Sequence, residues 1–144
     1  MKKVSITIKG EPKGKARPRF SNTRNGVRTY TPYKTALYEN MVSWTYVQEA
    51  GNIKFEGNIK ANIKAFFSIP KSTSKKKREE MEKELTMYAH KPDTDNIAKI
   101  ILDSLNGIAY DDDRQITELH VTKHYSKEPR VEVELTEVND GNGD

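Results

Sequence analysis

The chain contains no cysteine in 144 residues, which excludes a disulfide scaffold, a thiolate zinc or iron–sulfur site and a thiol nucleophile together. Any metal must be held by oxygen or histidine. Histidine itself is scarce: the 3 present, His90, His120 and His124, are isolated from one another, so a paired-histidine nuclease motif is lacking. Long apolar runs are missing too. The N-terminal MKKVSITIKG alternates instead of forming a continuous apolar core, so neither a membrane span nor a signal peptide is expected, and a cytoplasmic location is the expectation that follows. No internal repeat or linker divides the chain, whose apolar fraction of 34% is low but sufficient for one domain. The organisation expected is one domain over residues 1–138, with NDGNGD at 139–144 as a flexible tail.

Charge is abundant and unevenly placed. The net charge of +4 combines +12 over Met1–Glu80, where 18 Lys and Arg face 6 acids, with −8 over the remainder, where 7 face 15. A basic half attracts a polyanion, whereas an acidic half repels it unless some of its carboxylates hold a cation where the polyanion approaches. That division points to a metal-dependent nucleic-acid enzyme. A surface merely solvated by Lys and Glu would show the same totals, so motifs must decide.

Val4, Ile6 and Ile8 alternate with polar residues and indicate an opening strand. From Gly10 to Pro32 the chain reads as a long basic loop carrying Lys13, Lys15, Arg17, Arg19, Arg24 and Arg28, with Phe20 and Tyr30 able to stack on bases. Thr31 and Pro32 suit a helix start, and Leu37, Met41, Trp44 and Val47 recur at helical steps as far as Gly51. The aromatic Tyr38, Trp44 and Tyr46 are expected in core or interface packing. Ile59 to Ile69 alternates strictly and ends at Pro70, the clearest strand of the chain. Ser72 to Leu85 is almost purely charged, a short solvated helix or mobile arm in which Lys75, Lys76, Lys77 and Arg78 can meet backbone phosphate. Ile116–Tyr125 and Arg130–Val138 alternate across SKEP and read as a closing hairpin. This order of elements indicates an α+β domain.

Between them lies HKPDTDNIAKIILDSLNGIAYDDDRQ, where the chemistry is expected. Pro92 stiffens the approach to Asp93, and Asp95 with Asn96 suits the start of a helix that stops at Asn106–Gly107. On that helix Ile97, Ile100, Ile101, Ser104 and Leu105 share one side, while Asp95, Lys99, Asp103 and Asn106 line the other. Asp93 and Asp95 in an extended lead-in can converge on one hard cation such as Mg²⁺. One of Asp111, Asp112 and Asp113, folded back by a glycine turn, would complete the site. Taken singly, these residues are equally well read as a helix cap, an exposed ion pair and a solvated turn.

KPDTDNIAKIILDSLNG followed by YDDDRQI closely resembles the signature of the RusA family of Holliday junction resolvases, small bacterial and prophage endonucleases. The pattern is D-x-D-N-x-x-K, D-[AS]-L, a short gap and D-D-x-Q, met here by Asp93, Asp95, Asn96, Lys99, Asp103, Ser104, Leu105, Asp112, Asp113 and Gln115. The motif spans about a fifth of the chain, and the flanking elements follow the family's usual order. The resemblance implies a two-layer domain with helices on a mixed β-sheet. It also implies a homodimer that nicks four-way DNA junctions in symmetric pairs during recombination and repair, using one or two Mg²⁺ per subunit and no organic cofactor. Asp93, Asp95 and Asp113 stand at the family's catalytic, metal-binding aspartates and Lys99 at its essential lysine. Asn96, Asp103, Asp112 and Gln115 are then expected to support them by hydrogen bonds or ion pairs. Some members carry an arginine run just before the first aspartate, where this chain has His90 and Lys91, so the path of the DNA is left open. A restriction-type site would need a later acid-x-Lys pair, and no acid after Asp93 has lysine two residues on. The alternatives are a broader branched- or flap-DNA nuclease and a non-catalytic basic DNA-binding protein.

Overall fold

The computed structural model describes residues 1–16, 19–30 and 32–139. Three alternating segments build its main sheet as expected. Strand β1 (Lys3–Lys9) buries Val4, Ile6 and Ile8, and β4 (Ile59–Ser68) buries Ile59, Ala61, Ile63, Ala65 and Phe67. Strand β6 (Arg130–Glu137) adds Val131, Val133 and Leu135 to the same face. These side chains stand directly opposite one another, in registers such as Ile6↔Val133↔Ile63, so one period-2 pattern per strand suffices to make a continuous apolar surface.

The sheet order is β1-β6-β4-β5, with β5 (Ile116–Ser126) parallel to β4 and the other pairings antiparallel. The expected closing hairpin therefore does not form. Although only three residues separate β5 from β6, β4 lies between them, because its buried side chains require a neighbour on each edge. The outer edge of β5 is covered in turn by Thr86–Tyr88, through Tyr88 N–H to Lys123 O (3.0 Å) and Tyr125 N–H to Thr86 O (3.0 Å), which leaves less backbone open for unwanted pairing.

Helices α1 (Tyr33–Ala50) and α3 (Thr94–Ser104) cover the apolar face of the sheet and touch each other. The opposite face, with Ser5, Thr7, Asn62, Lys64, Glu132 and Glu134, lines an open polar groove. This is a two-layer α+β fold with a mixed sheet. In α3 the apolar stripe is as expected: Ile97, Ile100, Ile101, Ser104 and Leu105 are all buried. The helix begins one residue before Asp95, with Asp93 as its N-cap, and the turn that follows it passes through Gly107 at φ 78°.

Helix α1 reverses the expected face. Its buried residues are Thr35, Tyr38, Val42, Thr45 and Tyr46, while Leu37, Met41, Trp44 and Val47 are exposed, Trp44 at 64%. Both stripes have helical spacing; the polar anchors decide between them. Tyr46 Oη donates to Ile53 O (2.6 Å) and Ser43 Oγ to Ser104 O (2.7 Å), and only the tyrosine face offers those contacts. Pro32 occupies the N-cap; Thr31 lies outside the described residues.

The long basic segment is not all loop. It folds into a separate antiparallel ribbon, β2 (Arg19–Thr23) with β3 (Gly26–Tyr30), turning at Arg24–Asn25 with Gly26 at φ 113°. The charged segment downstream forms α2 (Lys75–Glu82), which buries no residue. Residues 140–144 of the expected tail are outside the described residues. No described helix is long and apolar enough to cross a membrane.

Candidate active site

The approach to Asp93 is fastened at several points. The Tyr88 ring stacks on Phe67 with centroids 3.8 Å apart, and its hydroxyl donates to Lys91 O (2.9 Å). Lys123 Nζ donates to His90 O (2.8 Å) and Pro92 O (3.0 Å) from the inner face of β5. Further back, Arg130 grips Glu84 through two nitrogens at 2.8 and 3.2 Å, and stacks over Phe66 at 4.0 Å. The Arg130 hydrogen bond, with a second from Ser126, holds the Glu84 carboxyl below its ordinary range.

Asp93 therefore arrives at the N-terminus of α3 in a set position. Its carboxylate makes no capping hydrogen bond, although capping is the commonest local use of aspartate there. It opens into a cleft of about 440 Å³ with Gly14, Lys15, Lys91, Pro92 and Asn96. Asp95, in the first turn, borders a second hollow with Thr94, Ala98, Leu119 and Val121. The two aspartates are only one residue apart in the chain but line different hollows at the helix mouth.

One turn along, Lys99 Nζ lies 3.5 Å from Asp103 Oδ2, and the same oxygen lies 3.6 Å from Lys15 Nζ. Lys15 Nζ also contacts Glu39 Oε2 of α1 at 2.6 Å. Lys99 nonetheless remains 61% exposed along its side chain.

The aspartate run divides into three tasks. Asp111 pairs with Lys54 (2.7 Å). Asp112 caps a single 3₁₀ turn, Asp113–Gln115, by accepting from Arg114 N–H (3.0 Å). Gln115 ties that turn down by accepting from Asp111 N–H (2.9 Å) and donating to Phe55 O (3.0 Å) and Gly57 O (3.1 Å). For Asp113, burial first, then its contact with Asp112 and the charges of Asp103 and Asp112, push the carboxyl above the usual range, with Lys99 opposing them.

All the donors here are oxygens, the chemistry a hard divalent cation takes. Their spacing does not form a closed cage: among the described residues no three acidic or histidine side chains stand close enough to share one ion. The fold brings Asp113, Asp103 and Lys99 into one electrostatic neighbourhood and places Asp93 and Asp95 at the helix mouth beside it.

Of the basic residues, Lys13, Arg24, Arg28, Lys75, Lys76 and Lys77 are exposed. Arg78 is spent on Pro70 O (2.9 Å) and Lys71 O (3.2 Å). Arg17 and the side chain of Arg19 fall outside the described residues. Sequence reasoning missed Lys123 and Glu39. Lys123 had a signal, since it occupies the inward phase of β5 after Leu119 and Val121, where lysine is out of place unless its ammonium has partners. Glu39 had none.

The family model for endodeoxyribonuclease RusA matches residues 9–136, a span that includes every acid of the site and both strands that flank it. An uncharacterized protein of Bacillus subtilis, YqaN, is 38% identical over 138 residues, covering 94% of this chain and 97% of its own length. Together with the two-layer mixed-sheet fold and the carboxylates and lysine gathered around α3, these matches show that the chain belongs to the RusA family of endodeoxyribonucleases, the Holliday junction resolvases.

Proposed function

We propose that the chain acts as a Mg²⁺-dependent homodimer that introduces paired symmetric nicks into four-way DNA junctions, in recombination and repair. The observation that carries this reading is the charge coupling to α3: Asp113, eighteen residues beyond Asp95, feels the charges of Asp103 and Lys99. Phosphodiester hydrolysis needs a centre that tolerates an approaching phosphate and stabilises the charge that develops on it. In this reading Lys99, with 61% of its side chain exposed, meets a non-bridging phosphate oxygen. Asp93 and Asp95 are the remaining catalytic carboxylates; Asp112 and Gln115 hold the 3₁₀ turn in place, Asp103 pairs with Lys99 and Lys15, and Asn96 lines the cleft beside Asp93. An oxygen-only donor set among mutually repelling carboxylates is the reason for expecting a Mg²⁺ requirement, since a bound cation would relieve that repulsion.

The exposed apolar stripe of α1 supports the dimer. Tyr33, Leu37, Met41, Trp44 and Val47 form a contiguous face, of the kind that marks a protein–protein contact. Exposed cations on the β2–β3 ribbon and on α2 supply phosphate contacts.

The test is cleavage of a labelled mobile four-way junction in Mg²⁺ by wild type and Asp95→Asn, with linear duplex of the same sequence in parallel. Symmetric nicks in the junction alone, lost in Asp95→Asn while junction binding persists, are expected. Equal cleavage of flaps would broaden the substrate to branched DNA. Binding without cleavage in Mg²⁺ or Mn²⁺ would leave a basic DNA-binding protein.

A further inference from the structure

Lys15 belongs by composition to the basic segment, but its surroundings differ from those of its exposed neighbours. Gly14 lies so close to the α3 entrance that a Cβ there would stand 2.7 Å from Pro92 Cβ and 3.2 Å from Asn96 Cβ. Glycine lets the chain touch down, and Lys15 N–H then donates to Asn96 O at 2.9 Å. The side chain, only 19% exposed, runs inward to Glu39 Oε2 (2.6 Å) and Asp103 Oδ2 (3.6 Å). An ammonium held between two carboxylates from two different helices is poorly placed to serve as a phosphate contact.

Asp103 is the shared member. Its Oδ2 faces Lys15 on one side and Lys99, at 3.5 Å, on the other. Two cations competing for one carboxylate each hold it less tightly than either would alone. With Lys15 removed, Glu39 and Asp103 would lose their common counter-ion, and Lys99 would be the nearest cation left to draw in. Its flexible stem allows that movement. We propose that Lys15 is a positioning residue for the cleavage reaction: by occupying Asp103 it keeps the Lys99 ammonium available to the scissile phosphate. This rests on the resolvase reading above and adds to it a residue outside the family motif. The same contacts anchor the root of the basic segment on α3, so the arm that follows starts from the edge of the active site.

The experiment compares full-length wild type with Lys15→Met, Lys15→Arg, Asp103→Asn and the Lys15→Met/Asp103→Asn double variant. Each is read by single-turnover junction cleavage at saturating enzyme in Mg²⁺, and by junction Kd without metal over a salt series. Lys15→Met is expected to slow single-turnover cleavage by about tenfold or more, with Kd within about twofold and the salt slope unchanged. Lys15→Arg should recover most of the rate. The double variant should cleave no more slowly than Asp103→Asn, because Lys15 acts through Asp103.

If Lys15→Met instead weakens binding and lowers the salt slope by about one, with its rate at saturation intact, Lys15 is a phosphate contact and the proposal is overturned. Additive losses in the double variant overturn it as well. Should Lys15→Met fail to melt cooperatively, Lys15→Gln/Glu39→Gln removes both charges without leaving Glu39 unpaired, and the same outcomes are expected of it. A wild-type chain that binds junctions without cutting them would overturn the resolvase reading and this proposal together. Wild-type cleavage with an unslowed Lys15→Met overturns this proposal alone.

Discussion

Asp113 sits where its ionised form is disfavoured, by burial and by the neighbouring carboxylates of Asp112 and Asp103. A carboxyl whose folded pKa exceeds its unfolded value gives the fold its stability below the unfolded pKa, and that stability is lost as pH rises through the folded one. At neutral pH the charge of Asp113 therefore opposes folding. Asp113→Asn is expected to raise Tm near pH 7, with the gain shrinking as pH falls toward the ordinary aspartate range, while junction cleavage is abolished. Thermal melts across pH, paired with the cleavage assay, check both; a variant less stable at pH 7 would contradict the placement of Asp113. The opposing effects on stability and activity are those expected of a residue kept for chemistry. Removal of divalent metal by EDTA should stop wild-type cleavage, and Mg²⁺ should restore it.

At the level of elements, the segment from Glu84 to Pro92 carries the first aspartate and depends on tertiary partners for its path. Arg130 reaches it from β6 and Lys123 from β5. Replacing Arg130 by Met removes the charge-assisted hydrogen bonds to Glu84 and is expected to cost about 2 kcal/mol, measured by urea unfolding at neutral pH. Glu84 has a lowered pKa, so its contribution is present above the ordinary carboxylate range and lost as pH falls through its own value; the difference between wild type and Arg130→Met should fade over that interval. Lys123→Met leaves the carbonyls of His90 and Pro92 without their donor. It should slow cleavage more than it weakens junction binding, because it loosens the approach to Asp93 and touches no DNA contact proposed for α2 or the ribbon. Single-turnover rates and binding isotherms separate the two effects.

For the molecule as a whole, the apolar stripe on α1 is expected to join two copies. Trp44→Asp should convert the proposed dimer to a monomer in sedimentation velocity and replace paired nicks by uncoordinated single ones, with the far-UV spectrum unchanged because Trp44 is 64% exposed. The same helix shows what could be read in advance. Strict alternation in β1, β4 and β6, and the single apolar stripe of α3, each leave one way to bury the side chains, so these elements and the polar line of Asp95, Lys99 and Asp103 were legible residue by residue. The D-x-D-N-x-x-K spacing likewise pointed to the family, because those positions lie within one helix and its lead-in. Helix α1 has two stripes of helical period, and sequence spacing cannot choose between them; the partners of Tyr46 and Ser43 do. Neighbouring alternating segments suggested a hairpin, yet β4 separates β5 from β6, since strand order depends on which edges must be filled and leaves no local trace. The sequence alone determined the fold class, the four strands of the main sheet, helix α3 and the family. Tertiary structure alone decided strand order, which face of α1 is exposed, and the bridging of Lys15, Glu39, Asp103 and Lys99, because charges distant along the chain acquire partners only once helices and sheet have packed.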